Sequence, residues 1–160
     1  MNFAGIIDDD IVDCDEGFCV SLWFQGCDKH CKGCHNPHLW DHNNGKAIDN
    51  DKIVEKLLNS LHKNGINRQL SILGGEPLDP LNRKDCAYIV NKIHEKSPST
   101  QIYCWTGYTI EELHALNDIS INSILSIIDV LVDGPYIEEL RDTRLKMRGS
   151  SNQRILYRPF

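Results

Sequence analysis

Short apolar strands and amphipathic helices alternate along most of this chain. Segments rich in β-branched and aromatic residues predict strands at 18–25, 69–75, 101–107 and 129–135. Helical periodicity predicts helices at 49–65 and 82–96, and a capping-box pair, Thr109 and Glu112, predicts the start of another. This alternation is typical of βαβ units, so we expect an α/β fold with a mainly parallel sheet. A length of 160 residues fits one domain, 1–160.

Polar and cysteine-rich loops follow each predicted strand. When parallel strands are joined by right-handed crossovers, their carboxyl ends lie at one edge of the sheet. The loops after residues 25, 73 and 106, together with Asp133, therefore belong at that edge. Because α/β folds place their sites there, we expect these four segments to form one pocket.

The loop after the first predicted strand holds three cysteines, Cys27, Cys31 and Cys34, in C-x3-C-x2-C spacing. At roughly 3.3–3.6 Å per extended residue, one loop can wrap all three thiolates around a single small metal centre. Thiolate-rich sites select zinc or iron–sulfur clusters. A zinc site would need a fourth ligand, and four histidines lie nearby: His30, His35, His38 and His42. The sequence is compatible with both a zinc site and an iron–sulfur cluster, although this tight spacing on a strand-to-helix loop favours the cluster.

The motif GGEP follows the second predicted strand. Gly74 and Gly75 allow the backbone to approach a ligand closely, because neither residue has a Cβ. Glu76 places a carboxylate at the strand end, where it can accept a charge-assisted hydrogen bond from an ammonium group. Pro77 stiffens the turn. Taken alone, this motif also fits a simple turn with a solvated glutamate.

Together these two motifs resemble the radical S-adenosylmethionine (SAM) superfamily. Within it, the segments "GCHNPHLW", "WTGY", "LVDGPY" and "RGSSNQR" are similar to the activating enzymes of anaerobic, class III ribonucleotide reductases. The likeness extends from about Phe18 to Arg154, which is nearly the whole chain. It implies an incomplete (βα) barrel of the TIM-like radical SAM type.

The resemblance also implies a site. Cys27, Cys31 and Cys34 would ligate three irons of one [4Fe–4S] cluster, and SAM would chelate the fourth iron. The residues that would bind SAM are Gly33, Cys34, His35, Gly74, Gly75, Glu76, Pro77, Thr106, Tyr108 and Asp133. Superfamily members commonly have an aromatic residue before the third cysteine, whereas this chain has Gly33 there and His35 after that cysteine.

The implied activity is generation of a glycyl radical on the anaerobic ribonucleotide reductase. SAM would be cleaved reductively to methionine and a 5′-deoxyadenosyl radical, which would remove a hydrogen atom from a glycine of the reductase. No side chain is expected to act as a general acid or base. The partners would be the reductase and a low-potential electron donor such as flavodoxin.

Composition and charge exclude several other classes. A net charge of −6 argues against a nucleic-acid-binding protein, whose affinity depends on Lys and Arg. No apolar run is long enough to span a membrane, and the acidic N-terminal segment 1–17 does not read as a signal peptide. We therefore expect a cytoplasmic protein whose cysteines are not a disulfide framework. The basic tail, 141–160, is either a groove for the partner or a segment that closes the sheet.

Two alternatives remain open. One is another short radical SAM enzyme that acts on a small molecule. The other is a zinc-stabilised binding module without catalysis. Three of the remaining cysteines are expected to pack in apolar elements: Cys19, Cys86 and Cys104. Because Cys14 and Cys19 are close to the cysteine loop, a redox role is the alternative for these two.

Overall fold

The computed structural model describes residues 1–160 as a seven-stranded mixed sheet with four α-helices. The strands are β1 (Asn2–Asp10), β2 (Cys19–Phe24), β3 (Lys46–Ala47), β4 (Gln69–Gly74), β5 (Ile102–Trp105), β6 (Val130–Asp133) and β7 (Arg154–Tyr157). The helices are α1 (Asn50–Leu61), α2 (Arg83–Lys96), α3 (Ile110–Leu116) and α4 (Ile119–Ile127). No helix combines the length and the apolar character required to cross a membrane.

The strands are arranged in the order β3-β1-β2-β4-β5-β6-β7. The central strands β2, β4, β5 and β6 pair in parallel, which confirms the predicted α/β fold and the four predicted strands. The outer strands β1, β3 and β7 pair antiparallel and were not among the predicted strands. β7 pairs with β6, so this part of the basic tail does close the sheet.

Side-chain hydrogen bonds mark the starts of α1, α3 and α4. The Asp49 carboxylate accepts from the backbone of Asp51 and Lys52 at the start of α1. At the start of α3, Thr109 and Glu112 form the predicted capping box. α1 ends at Leu61, earlier than the predicted 65, because residues 64 and 65 adopt positive φ angles of 59° and 70°. A right-handed helix cannot continue through that conformation.

The hydrophobic core lies on one face of the sheet. Alternate residues of the parallel strands, such as Leu22, Ile72 and Cys104, pack with apolar side chains of all four helices in one buried cluster. The intervening positions, including Trp23, Leu73 and Trp105, point to the opposite face. No helix covers that face, so space remains there for a ligand.

Two loops cover part of the helix-free face, and we name them the covering loops: residues 11–17 and residues 141–150. The Ser71 hydroxyl donates to the backbone oxygen of Asp13 in the first loop. Trp105 Nε1 donates to the backbone oxygen of Met147 in the second loop over 2.9 Å. An exposed ion pair of 2.6 Å joins Asp15 to Lys146. The covering loops therefore contact both the sheet and each other.

Candidate functional site

A cavity of about 440 Å³ lies at the carboxyl edge of the parallel strands. The loops after β2, β4, β5 and β6 all contribute to its wall, as expected from the sequence. The predicted site residues that line it are Cys27, Cys31, Cys34, His35, Gly74, Gly75, Glu76 and Thr106. A groove of about 500 Å³ beside β1 is somewhat larger but contains none of the predicted site residues. The smaller cavity is therefore the candidate site.

Backbone hydrogen bonds fix the start of the cysteine loop. The amide of Gly26 donates to Leu39 O over 2.8 Å, and the amide of Cys27 donates to Trp40 O over 3.1 Å. The buried Asn82 side chain donates to the backbone oxygens of Gly26 and Glu76 at 3.2 and 2.9 Å. Asn82 thus joins the cysteine loop to the GGEP turn, and it was not singled out from the sequence.

The three loop thiols differ in exposure. Cys27 is buried, whereas Cys31 and Cys34 are partly exposed. Burial is the main reason that the pKa of the Cys27 thiol is raised to about 11. A thiolate at this position therefore requires a positive centre beside it, which a bound metal would supply.

The donors of the cysteine loop are compatible with both metal centres considered above. The three thiols line one cavity. Zinc and iron–sulfur clusters both bind thiolates, so the thiols alone do not select between them. A separate group of possible metal ligands has all its ligand atoms within 4.8 Å of one another and consists of Asp28, His42 and Asp79.

Glu76 is a buried carboxylate in the cavity wall. Its Oε1 accepts from Thr106 Oγ1 at 2.8 Å and from the amide of Leu78 at 3.0 Å. Its Oε2 accepts from the amide of Gly107 at 2.7 Å. Burial raises the pKa of the Glu76 carboxyl, and these three hydrogen bonds oppose that increase. All three donors are neutral, and the carboxylate forms no ion pair with a side chain. An ammonium group of a ligand could therefore form an ion pair with it.

Gly74 and Gly75 pack closely against neighbouring backbone, Gly74 against β2 and Gly75 against the cysteine loop. A Cβ on Gly75 would lie 2.9 Å from the carbonyl carbon of Gly26, and a Cβ on Gly74 would lie 2.5 Å from the amide nitrogen of Phe24. Gly74 also has a φ of 113°, a conformation that other residues rarely adopt. Both glycines also line the cavity, so close approach of their backbone to a ligand stays a prediction.

Other predicted site residues have different surroundings. The Gly33 Cα faces the Glu138 side chain, and Pro77 is buried outside the cavity lining. Asp133 is fully buried and bonds to Arg154 Nε at 3.0 Å and to the amide of Ile110 at 2.8 Å. Asp133 does not line the cavity, so its role toward SAM stays a prediction.

The nearby histidines are mostly engaged elsewhere. His30 stacks on Trp40 with ring centroids 4.7 Å apart, and His42 pairs with Asp28 at 3.1 Å. His38 lines the separate groove beside β1. Only His35 lines the cavity that contains the cysteines, where its ring centroid lies 5.2 Å from that of Tyr136.

Two cationic residues that were not among the predicted site residues also line the cavity: Lys29 and Arg148. The Lys29 ammonium lies 3.3 Å from the ring centroid of Tyr108, and the Lys29 side chain lies beside Gly107. The position of Lys29 between Cys27 and Cys31 is the one feature of the sequence that could have indicated it. Arg148 comes from a covering loop far along the chain, so only the tertiary fold brings it here.

Comparisons with known proteins identify similar sequences along the whole chain. A family model described as a 4Fe-4S single cluster domain matches residues 15–156. An anaerobic ribonucleoside-triphosphate reductase-activating protein of Escherichia coli (strain K12) is 36% identical over 154 residues, covering 96% of each chain. Proteins with the same name from Haemophilus influenzae and Enterobacteria phage T4 are 36% and 34% identical. These alignments cover 97% of this chain, and 97% and 93% of those relatives.

Proposed function

Because this chain belongs to the 4Fe-4S single-cluster family of anaerobic ribonucleoside-triphosphate reductase-activating proteins, we propose that it activates an anaerobic ribonucleotide reductase by generating a glycyl radical on it. The proposed chemistry is that of the radical SAM superfamily, carried out on a partial barrel formed by the parallel strands. The observation that carries this proposal is the presence of three loop thiols and the buried Glu76 carboxylate in one cavity.

Cys27, Cys31 and Cys34 are the proposed ligands of a single [4Fe–4S] cluster. All three line the candidate cavity, and the family model that matches residues 15–156 is a 4Fe-4S single cluster domain. Among the neighbouring histidines, only His35 lines the same cavity. Three protein ligands leave one iron of the cluster available to SAM. When bound, the cluster would supply one electron to the SAM sulfonium, at the low end of the iron–sulfur potential range. A low-potential donor such as flavodoxin would replace that electron.

Glu76 is the proposed acceptor for the ammonium group of SAM. Its carboxylate is oriented before the ligand arrives, because Thr106 and the amides of Leu78 and Gly107 fix both oxygens. His35 is the proposed neighbour of the adenine. Apolar walls formed by Trp23, Leu73 and Trp105 limit the water that can reach the reacting atoms.

The proposed reaction balances with one electron and one hydrogen atom. Cleavage of the C5′–S bond of bound SAM would consume the electron and give methionine and a 5′-deoxyadenosyl radical. Removal of the Cα hydrogen of a glycine in the reductase would then leave 5′-deoxyadenosine and a glycyl radical. The chain itself orients the reactants and excludes water, and no side chain has to move a proton.

Anaerobic reconstitution with iron and sulfide tests this proposal. We expect about four irons per chain, cleavage of SAM with a strong reductant, and a glycyl-radical EPR doublet when the anaerobic reductase is added. Stoichiometric uptake of zinc without a SAM-cleaving cluster would instead support a zinc-stabilised binding module. SAM cleavage without the doublet would support an enzyme that acts on a small molecule.

A further inference from the structure

Three side chains outside the candidate cavity, Asp28, His42 and Asp79, bring possible metal-ligand atoms together within 4.8 Å of one another. His42 Nε2 lies 3.1 Å from Asp28 Oδ1 and 3.7 Å from Asp79 Oδ2. Neighbouring ligand atoms on a divalent metal ion lie roughly 3.0–3.6 Å apart, given bonds of about 2.0–2.2 Å. Small side-chain movements would therefore bring these atoms into bonding positions around one ion.

Asp79 is the member of the group that lacks a partner. Its side chain is only 2% exposed. Oδ1 accepts a hydrogen bond from the amide of Leu81 at 2.9 Å, whereas Oδ2 accepts none, and its one ion-pair contact is the 3.7 Å approach of His42. A buried carboxylate oxygen without a donor or a cation beside it is costly. Asp79 is therefore suited to a bound cation.

A protonated His42 would not satisfy both carboxylates. Nε2 carries one hydrogen, which can be donated to Asp28 at 3.1 Å, whereas the 3.7 Å to Asp79 is too long for a hydrogen bond. One imidazolium also balances only one of the two negative charges. A doubly charged cation would balance both charges and could bind all three atoms at once.

The backbone around His42 holds its ring in this orientation. The ring lies directly on Gly26, since a Cβ at that position would overlap Nδ1 of His42. The backbone oxygen of His42 accepts a hydrogen bond from the side chain of Asn2. Nδ1 therefore faces the start of the cysteine loop, and Nε2 faces the two carboxylates. Because this orientation exists before an ion arrives, binding costs less entropy.

The donor atoms indicate the class of ion. Ca²⁺ and Mg²⁺ take oxygen ligands, and soft ions such as Cu(I) take thiolates or thioethers. One imidazole nitrogen with two carboxylate oxygens instead suits a divalent first-row transition metal. We propose that Asp28, His42 and Asp79 bind one such ion, separate from the metal centre of the cysteine loop.

This second ion would join the segments that carry the candidate site. Asp28 directly follows Cys27, His42 lies beyond the other end of the cysteine loop, and Asp79 follows the GGEP turn. An ion that binds all three segments exists only on the folded chain, so it would stabilise that chain. The inference does not depend on the proposed function, because it concerns structure and not the radical reaction.

The test titrates Mn²⁺ into cluster-loaded protein and measures the free ion by EPR. Mn²⁺ is the probe because oxygen ligands suit it, whereas the thiolates of the cysteine loop select softer ions. The oxidised cluster is diamagnetic and adds no signal. We expect one Mn²⁺ to bind per chain, with the iron content of the protein unchanged.

Two variants each remove one proposed ligand, Asp28→Asn and His42→Gln. Each should raise the Mn²⁺ dissociation constant about tenfold or more, because even changes beyond the direct ligands typically cost about 10–100-fold. His38→Gln is the matched control, since His38 is an exposed histidine of the same segment and lies outside the group. Asp28 is 73% exposed, so Asp28→Asn should fold even if His42→Gln does not.

Melting temperatures give a second measurement. Mn²⁺ should raise the melting temperature of wild type and of His38→Gln, and should raise that of the two ligand variants less. The proposal is overturned if wild type binds no Mn²⁺ at millimolar concentration. It is also overturned if the ligand variants bind Mn²⁺ as tightly as wild type, which would place the ion elsewhere on the chain. Neither measurement involves SAM cleavage or a glycyl radical, so this site and the proposed function can fail separately.

Discussion

The Thr106 hydroxyl donates a 2.8 Å hydrogen bond to Oε1 of Glu76, and both side chains are buried in the wall of the candidate site. Thr106 follows β5 and Glu76 follows β4, so this contact joins the carboxyl ends of two neighbouring strands. It also opposes the effect of burial on the pKa of the Glu76 carboxyl. Thr106 therefore fixes the orientation of the Glu76 carboxylate, and under the proposed function it is a positioning residue.

We expect Thr106→Val to weaken SAM binding. Valine has nearly the same shape but cannot donate, so the pKa of Glu76 rises further and its carboxylate attracts an ammonium group less strongly. A hydrogen bond to a charged group contributes about 1.5–3 kcal/mol, which corresponds to at least a tenfold loss of affinity. Equilibrium dialysis measures the effect, with Thr106→Ser as the control that keeps the hydroxyl. Equal losses in both variants would mean that packing, not the hydrogen bond, is responsible.

Cys31→Ala should abolish SAM cleavage, because the cluster would lose one of its three proposed ligands. Cys86→Ala is the matched control, since Cys86 is fully buried in the apolar core away from the cavity. It should keep its iron and most of its activity. Iron and sulfide content after reconstitution, followed by the rate of methionine release, gives the comparison. The ligand assignment is wrong if the two variants lose iron equally.

Gly75→Ala should displace the cysteine loop from the GGEP turn. The added Cβ would lie 2.9 Å from the carbonyl carbon of Gly26, where only backbone could move to relieve the contact. Steric overlap in a packed site typically costs about 1–3 kcal/mol. Gly5→Ala is the control, because a Cβ there meets no atom within 4 Å. Thermal unfolding and iron content should fall for Gly75→Ala alone, and similar melting temperatures for both would contradict this account.

Asp13 should make stability depend on pH. Burial and the neighbouring Asp10 raise the pKa of Asp13 from 3.8 to about 7. Between these values the folded protein binds a proton that the unfolded chain has released, so this contribution to stability is lost as pH rises toward 7. Asp13→Asn removes the effect and should gain stability relative to wild type at pH 8 compared with pH 5. Thermal melts at both values check this, and an unchanged difference between the proteins would contradict it.

The parallel core of the fold was predictable, and its edges were not. The central strands have continuous apolar runs, and the Thr109–Glu112 capping box is readable from spacing alone. β1 instead ends in three aspartates and has no fully buried residue, so its sequence lacks the apolar run of a buried strand. β7 is equally hard to predict from the sequence, because it is a short, partly exposed edge strand. Pairing with β2 and β6, which only the tertiary fold provides, makes them strands.

The candidate site also has features that the sequence predicts and features that only the tertiary structure shows. The cysteine spacing and GGEP predicted the residues that line the cavity, because each belongs to a loop at the carboxyl edge of the sheet. The roles of Gly75 and Asn82 in joining two loops depend on contacts between distant segments, which no local pattern encodes. Arg148 is hidden for the same reason, since its unpaired Nε becomes apparent only when all its neighbours are placed.

All four helices pack on one face of the sheet, and the covering loops lie on the other. The hydrophobic core is therefore insulated from changes in residues 141–150. Under the proposed function, substitutions in this loop would change the part of the cavity wall formed by Leu145, Met147 and Arg148, and would leave the cysteine loop and the GGEP turn unchanged. Diversification of such activating proteins would then proceed by substitution on the helix-free face, where mutations carry little risk to folding.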